Sequence, residues 1–471
     1  MIAILKREWK SYFQNITGWL FIAAVLALYG LYFLAYNLRA GYPYVSYTLS
    51  AISFIMLIAV PILTMRSMAE ERHSRTDQLV LTAPVSLGKM IFGKFLAMVG
   101  VFTVAVAVIA VTPLVLAAFG TVPMGENYVA VLGFWLYGCT CIAVGMLASA
   151  LTESQVIAAV VAFAFLFLGY MMNSITGLIG DHLITKVLGA YDLYAPLQSF
   201  MSGCLDLTGV VYFVSVTGLC LFLTCQCVQK RRWSMTTKKL TTGMFSVAMI
   251  VVGFAVAVAV NLVVKEMPSS WTAVDATSTK LYSLTDTTKD YVKNLSQDVT
   301  IYVLSSEKSA DSTLAETLQR YEDLSKHLNV VYKDPAKSPN FYQQYTDSAP
   351  SQNSMIVVSD ARSRVVDYSD IYEYSYDYST YSSSVDGYDA EGQLTSALQY
   401  VTKADSELPV IYEITGHGEN TLSGGFSEAV EKANMTVSQL TLLTEDAIPD
   451  DAAAIIINGP TSDFSEDDAA K

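Results

Sequence analysis

The stretch MAEERHSRTDQLVLTAPVSLGKMIFGK, residues 68–94, decides how this chain is read. It separates two long runs without a charged residue, 40–65 and 95–125. A membrane-spanning helix needs about 20 mostly apolar residues, and both runs meet that. The polar stretch between them, with Pro84 in its second half, is then a connection between two membrane helices.

Working outward, the same criterion finds seven charge-free runs: 11–38, 40–65, 95–125, 127–152, 154–180, 207–229 and 240–264. They predict seven spans. The first run is too long and too poorly flanked for a cleaved signal peptide. The chain has 471 residues, 52% apolar and 15% charged, and this average hides a split. Residues 1–265 carry 16 Lys and Arg against 9 Asp and Glu, whereas residues 266–471 carry 13 against 34. An acidic second half excludes nucleic-acid binding through phosphates. The expected organisation is a six-span domain at 1–233, a linker and seventh span at 234–266, an α/β domain at 267–400, and the start of a second α/β domain at 401–471.

Lys and Arg set the orientation. With the N-terminus cytoplasmic, 13 of the 16 basic residues of the first half fall inside; only Arg39, Lys186 and Lys265 fall outside. The acidic half is then extracytoplasmic. All six cysteines lie in the membrane half, so the outer half holds no disulfide. Cys225 and Cys227 read as packing residues, since no His or third Cys stands near them for a metal site.

No ionisable side chain sits deep in any run, which argues against a proton-coupled carrier. Gly88 to Phe95 fits seven letters of a phosphate loop and fails at Phe95, where Ser or Thr would hold magnesium. The chain is therefore expected to hold no cofactor and no metal, and not to be an enzyme. Residues 68–82 predict a helix with Glu71 and Arg75 paired at i,i+4. Pro84 stops it, Ser86 caps the next helix, and Lys89 and Lys94 anchor that helix at the interface. Pro61 and Pro113 are candidates to kink their helices, and Gly145 with Ser149 marks a close helix approach.

Glu70-Glu71-Arg72, then Thr76 to Ser86, then Gly93-Lys94, resembles the cytoplasmic loop of type-2 ABC transporter permeases. In that family the loop carries a coupling helix that docks on a separate ATPase. The family's usual Gly-Thr-Ile/Leu-Glu is replaced here by Arg75-Thr76-Asp77-Gln78. Thr152 to Gln155 is similar to the family's inner turn, 196–213 to its outer segment before the sixth span, and Arg231-Arg232-Trp233 to its basic end. The likeness is strongest for the gliding-motility subgroup. It implies a multi-span α-helical membrane fold and a permease subunit of the bacterial cytoplasmic membrane. It further implies ATPase coupling through Glu70, Glu71, Arg72, Arg75, Thr76, Asp77, Gln78, Leu79, Leu81, Thr82 and Pro84. ATP and Mg²⁺ would sit on a partner ATPase, which would also touch 5–10, and a second permease copy or sister subunit would complete the pathway. Rival readings are a membrane-anchored scaffold without transport and an ATP-independent carrier.

The outer half alternates strands and helices, which predicts an α/β sheet. Strands are expected at 299–304, 329–332, 410–415 and 453–457, helices at 314–328 and 426–434, and a hairpin at 354–359 and 363–367. Leu281 to Thr285, Asp334-Pro335, 394–402 and Gly416-His417-Gly418-Glu419 resemble the auxiliary extracytoplasmic component of gliding-motility transporters, here fused and shortened at its C-terminus. That resemblance implies an envelope or polysaccharide partner. Gly416 to Glu419 reads as a tight strand-to-helix turn, with ligand contact by His417 and Glu419 as the alternative. The Tyr- and Asp-rich segment 367–391 reads as an acidic edge hairpin, with a partner- or sugar-binding face as its alternative.

Overall fold

The computed structural model describes residues 2–76, 86–179, 188–230, 240–265, 267, 272–277, 283–307, 309–377, 382–403, 408–422, 424–442, 444–445 and 447–471. They divide into two compact units, Met1–Ser283 and Leu284–Lys471.

In the first unit the charge-free runs become helices. An N-terminal helix α1 (Ile2–Gln14) precedes α2 (Ile16–Phe33), which ends in a π-helical turn at Leu34–Arg39. Then follow α3 (Ser46–Thr64), α4 (Arg66–His73), α5 (Leu87–Ile109), α6 (Thr112–Ala117) and α7 (Met124–Leu151). Next come α8 (Gln155–Tyr170), α9 (Met172–Ile179), α10 (Ala195–Met201), α11 (Leu207–Lys230) and α12 (Leu240–Lys265). Among the described residues, six helices are long and apolar enough to cross a membrane.

The fifth expected span differs. Helix α8 has 16 residues, about 24 Å at 1.5 Å per residue, short of a hydrocarbon core of about 30 Å. At its end the Leu193 N–H donates to the Gly169 carbonyl at 3.1 Å, satisfying one of the helix's terminal acceptors, and the chain restarts as α9. Pro113 does not kink a continuous helix either: it opens the separate helix α6.

Helix α7 is the axis of the unit, with 78% of its most apolar window buried, whereas α12 buries none of its own. The core around α7 includes Phe102, Phe134, Tyr137, Phe200 and Phe213. At one end of the bundle Asn127 accepts from the Val45 N–H at 2.7 Å and donates to the Pro43 carbonyl at 3.0 Å. At this end a short strand β1 (Cys204–Asp206) pairs antiparallel with β2 (Ala273–Asp275).

The second unit opens with α13 (Asp286–Lys293). Its larger sheet has the order β4-β3-β5-β6, from β3 (Val299–Val303), β4 (Leu328–Tyr332), β5 (Met355–Val358) and β6 (Ser363–Val366). β3 and β4 are parallel, joined by α14 (Ser312–Leu324), which Asp311 caps through the Leu314 N–H at 2.8 Å. β5 and β6 form the expected hairpin. β7 (Tyr372–Asp377) pairs with β8 (Ser382–Tyr388), and α15 (Ala390–Thr402) buries Leu394, Ala397, Leu398 and Val401 in the same core. A second, parallel sheet has β9 (Val410–Thr415) between β10 (Thr436–Thr441) and β11 (Ala452–Ile456), with α16 (Gly424–Lys432) before β10. β10 went unread in the sequence because its only apolar residues, Val437 and Leu440, are three apart and so fall on opposite faces of the strand.

Candidate functional site

The polar stretch that opened the sequence reading starts at the end of α3, opposite Asn127. Helix α3 breaks at Met65 and resumes as α4. A break inside a bundle exposes backbone groups that need partners, and one side chain supplies three. Ser149 of α7, fully buried, accepts from the Met68 and Ala69 N–H groups at 3.1 Å each and donates to the Met65 carbonyl at 3.0 Å. One turn earlier, a Cβ on Gly145 would lie 2.3 Å from Thr64 Oγ1, so only glycine lets α7 come this close.

The side chains of α4 fasten it to its surroundings. Arg66 donates to both Glu70 oxygens at 2.7 and 2.9 Å and to Thr17 of α2 at 3.2 Å. Arg72 pairs with Glu153, 2.7 Å away in the turn after α7, and donates to the Leu151 carbonyl at 3.3 Å. Glu71 lies 2.6 Å from Lys94 of α5 and 3.5 Å from Arg7 of α1. Lys94 also donates to the Ser67 carbonyl at 2.9 Å and stands 4.0 Å from Glu8. A cleft of about 520 Å³ lies between α1 and α4, bordered by Arg7, Glu8, Arg66, Glu70, Glu71 and Lys94.

Three expectations are corrected here. Helix α4 ends at His73 rather than near Thr82: Ser74 terminates it and Arg75 takes a left-handed φ of 55°. The Glu71–Arg75 pair does not form, because Glu71 is engaged by Lys94 and Arg7. Lys94 is no interfacial anchor: it is 3% exposed, a buried ammonium held by a carbonyl and a carboxylate. Removing one partner of such a buried pair typically costs about 3–5 kcal/mol. Ser86 stands at the N-cap of α5, but its side chain makes no capping bond. Residues 88–94 lie in the first turns of α5, so they form no phosphate loop. Arg75 and Thr76 are exposed. Asp77, Gln78, Leu79, Leu81, Thr82 and Pro84 lie outside the described residues.

Residues 39–228 match the family described as ABC-2 family transporter protein. This chain carries an ABC-2 transporter membrane domain. ABC-2 membrane domains are permease domains, not themselves catalytic, and usually work with an ABC-type ATPase. The ABC-2 match contains α4, Lys94, Gly145 and Ser149, and leaves Arg7 and Glu8 of α1 outside it. Residues 278–371 match a family described as Domain of unknown function (DUF7088). No curated protein matches the chain.

Sequence reasoning singled out Glu70, Glu71 and Arg72 in the ABC-2 domain but not Arg7 and Lys94 as the partners of Glu71. A signal was present. Lys94 lies two turns inside α5, the last charged residue before its long apolar stretch, in a half with only 9 acids to neutralise it.

In the second unit His417 is buried between two carboxylates. Its Nδ1 lies 3.2 Å from Glu419 and its Nε2 3.4 Å from Asp468, and the ring stacks on Phe464 at 4.1 Å. Glu419 also accepts from the His417 N–H at 2.8 Å. Gly416 and Gly418 take φ of 119° and 74°, the left-handed turn that only glycine adopts readily. The Thr461 and Ser462 N–H groups close over the His417 carbonyl at 3.0 and 2.9 Å. Burial works against charge on Glu419, yet the N–H groups of Glu419 and His417, and then the imidazole, hold its pKa below the ordinary value. Asp468 is held low first by the Ser465 hydroxyl, with His417 and Lys471 adding to it. The arrangement ties the turn after β9 to the segment after β11.

Proposed function

We propose that this chain is the membrane permease subunit of an ATP-driven transporter whose power comes from a separate ABC-type ATPase. The ATPase docks on the end of the bundle that carries α4 and the loop to Ser86, with the N-terminal helix beside it. ATP and Mg²⁺ belong to that partner. The α4 end is cytoplasmic, the membrane is the bacterial cytoplasmic membrane, and the second unit is extracytoplasmic. The permease works as a dimer, with a second copy or with a sister subunit. The subgroup is the gliding-motility one, exporting a substrate or passing force to an envelope component through the second unit.

The observation that carries this reading is the pairing of the ABC-2 match with the attachments of α4. A short polar helix gains little stability by itself. This one is held by side chains from α1, α2, α5 and α7 and ends in the exposed residues Arg75 and Thr76. A load applied beyond His73 therefore reaches four helices through fixed bonds.

The test is co-purification of the full chain with a co-expressed ABC-type ATPase from the same genome, with and without residues 76–83. Deletion abolishes capture, and the double charge reversal Glu70→Lys with Glu71→Lys uncouples ATP hydrolysis from transport while the chain still accumulates. A deletion variant that still transports and still holds the ATPase refutes the docking role. Transport by the reconstituted chain without any ATPase refutes the energy source.

A further inference from the structure

Arg7, Glu8, Glu71 and Lys94 form a closed ring of alternating charge. Round the ring the separations are 2.5 Å for Arg7–Glu8, 4.0 Å for Glu8–Lys94, 2.6 Å for Lys94–Glu71 and 3.5 Å for Glu71–Arg7. Two short edges alternate with two long ones. The members come from three elements: Arg7 and Glu8 from α1, Glu71 from α4, Lys94 from α5. Two cations face two carboxylates, so the ring is neutral in either of two pairings. In the observed one Arg7 holds Glu8 and Lys94 holds Glu71. In the other Arg7 holds Glu71 and Lys94 holds Glu8.

We propose that this ring is a partner-exchanging switch, in which Lys94 passes from Glu71 to Glu8 as the ATPase works and so hands the α4 carboxylate from α5 to α1 without leaving a buried charge unpaired. The proposal rests on the ATPase-coupling reading above. Switching elements need two discrete arrangements of similar free energy, and a ring with two neutral pairings provides them. Breaking a buried pair outright is strongly unfavourable; exchange avoids that because the new partner is already 4.0 Å away. Space is present: Glu8 and Glu71 both border the cleft, where their carboxylates move without displacing packed side chains. The Ser67 hydroxyl also borders it, buried and without a hydrogen-bond partner, and is ready to bond whichever carboxylate approaches. Arg66–Glu70 and Arg72–Glu153 lie outside the ring, so α4 stays tied to α2 and α7, and to α5 through the Lys94–Ser67 carbonyl bond, while Glu71 changes partner.

The test is a pair of double-mutant cycles on the full chain, Lys94→Met with Glu71→Gln and Lys94→Met with Glu8→Gln. Each cycle is read twice, by thermal unfolding of the chain and by ATP turnover of its complex with the ATPase. In unfolding, which reports the resting pairing, Lys94 couples to Glu71 and is additive with Glu8. In turnover Lys94 couples to both, departing from additivity by about fivefold or more. If a neutral variant fails to accumulate, Glu8→Asp and Glu71→Asp keep the charge and lengthen both edges at one corner of the ring; each lowers turnover under the exchange, and unchanged turnover with Glu8→Asp overturns it. Additivity of Lys94 with Glu8 in turnover overturns the exchange, as does equal coupling in both readouts, which describes a static network. Failure of the wild-type chain to bind or alter the ATPase is a different result: it removes the coupling reading and the switch with it.

Discussion

Replacing Ser149 with alanine deletes one oxygen at the centre of the break between α3 and α4. Three buried backbone groups lose a partner: the Met68 N–H, the Ala69 N–H and the Met65 carbonyl. Each such loss costs about 1–3 kcal/mol. Losses that share one oxygen do not add in full, which places the total at roughly 2–4 kcal/mol. The cost is local, because the core around Phe102, Phe134 and Tyr137 is untouched. Hydrogen exchange of the full chain in detergent or nanodiscs measures it directly. The amides of Met68 and Ala69 should exchange roughly 30- to 1,000-fold faster, at about tenfold per 1.36 kcal/mol. Ser53→Ala is the control: its hydroxyl is also fully buried but makes one bond, to the Ser50 carbonyl in its own helix. If Ser149→Ala leaves Met68 and Ala69 as protected as Ser53→Ala does, Ser149 does not hold the break.

Two further outcomes follow from packing and charge. Gly145→Val drives a side chain into Thr64, 2.3 Å from the added Cβ, and should lower the thermal midpoint of the first unit by the equivalent of about 1–3 kcal/mol, measured by scanning calorimetry. Asp367 gathers the N–H and hydroxyl groups of Ser351 and Ser369 and the hydroxyl of Ser354, at 2.7–3.1 Å. Burial opposes its charge, but the backbone and hydroxyl donors prevail and hold its pKa well below the ordinary carboxylate value. The folded state therefore favours the carboxylate. Its contribution is complete above the unfolded pKa, near 3.9, and fades as pH falls toward the lower folded value. Asp367→Asn should cost about 1.5–3 kcal/mol at pH 7 and flatten the loss of second-unit stability below about pH 4, followed by circular dichroism melts.

The membrane half was legible because charge-free runs of span length are rare in chains that fold in water. What escaped the sequence depends on contacts between distant residues. Nothing in 154–180 announces a stop at Tyr170; the donor that satisfies its end, the Leu193 N–H, stands 24 residues beyond Gly169. Helix periodicity carried 68–82 past His73, but Lys94 and Arg7 claim Glu71 and no local signal shows that. The second unit was legible where strands alternate cleanly, as at Val299–Val303, whose burial alternates residue by residue. Thr436–Thr441 offers only a weak version of that pattern. The Gly-His-Gly stretch was read correctly as a sharp turn from glycine chemistry alone, whereas its closing partners, Thr461, Phe464 and Asp468, stand more than 40 residues on.

Mechanically, the three-residue ribbon of β1 and β2 is a clip. It joins the chain just before α11 to the chain just after α12, so the two helices between are held together at one end like the legs of tweezers. Toward the clipped end, Asn261 of α12 donates to the Ser215 hydroxyl of α11 at 2.7 Å. Bare as its flanks are, α12 is thus no loose leash. A shove on one leg is felt by the other, and by whatever the polypeptide carries beyond the clip.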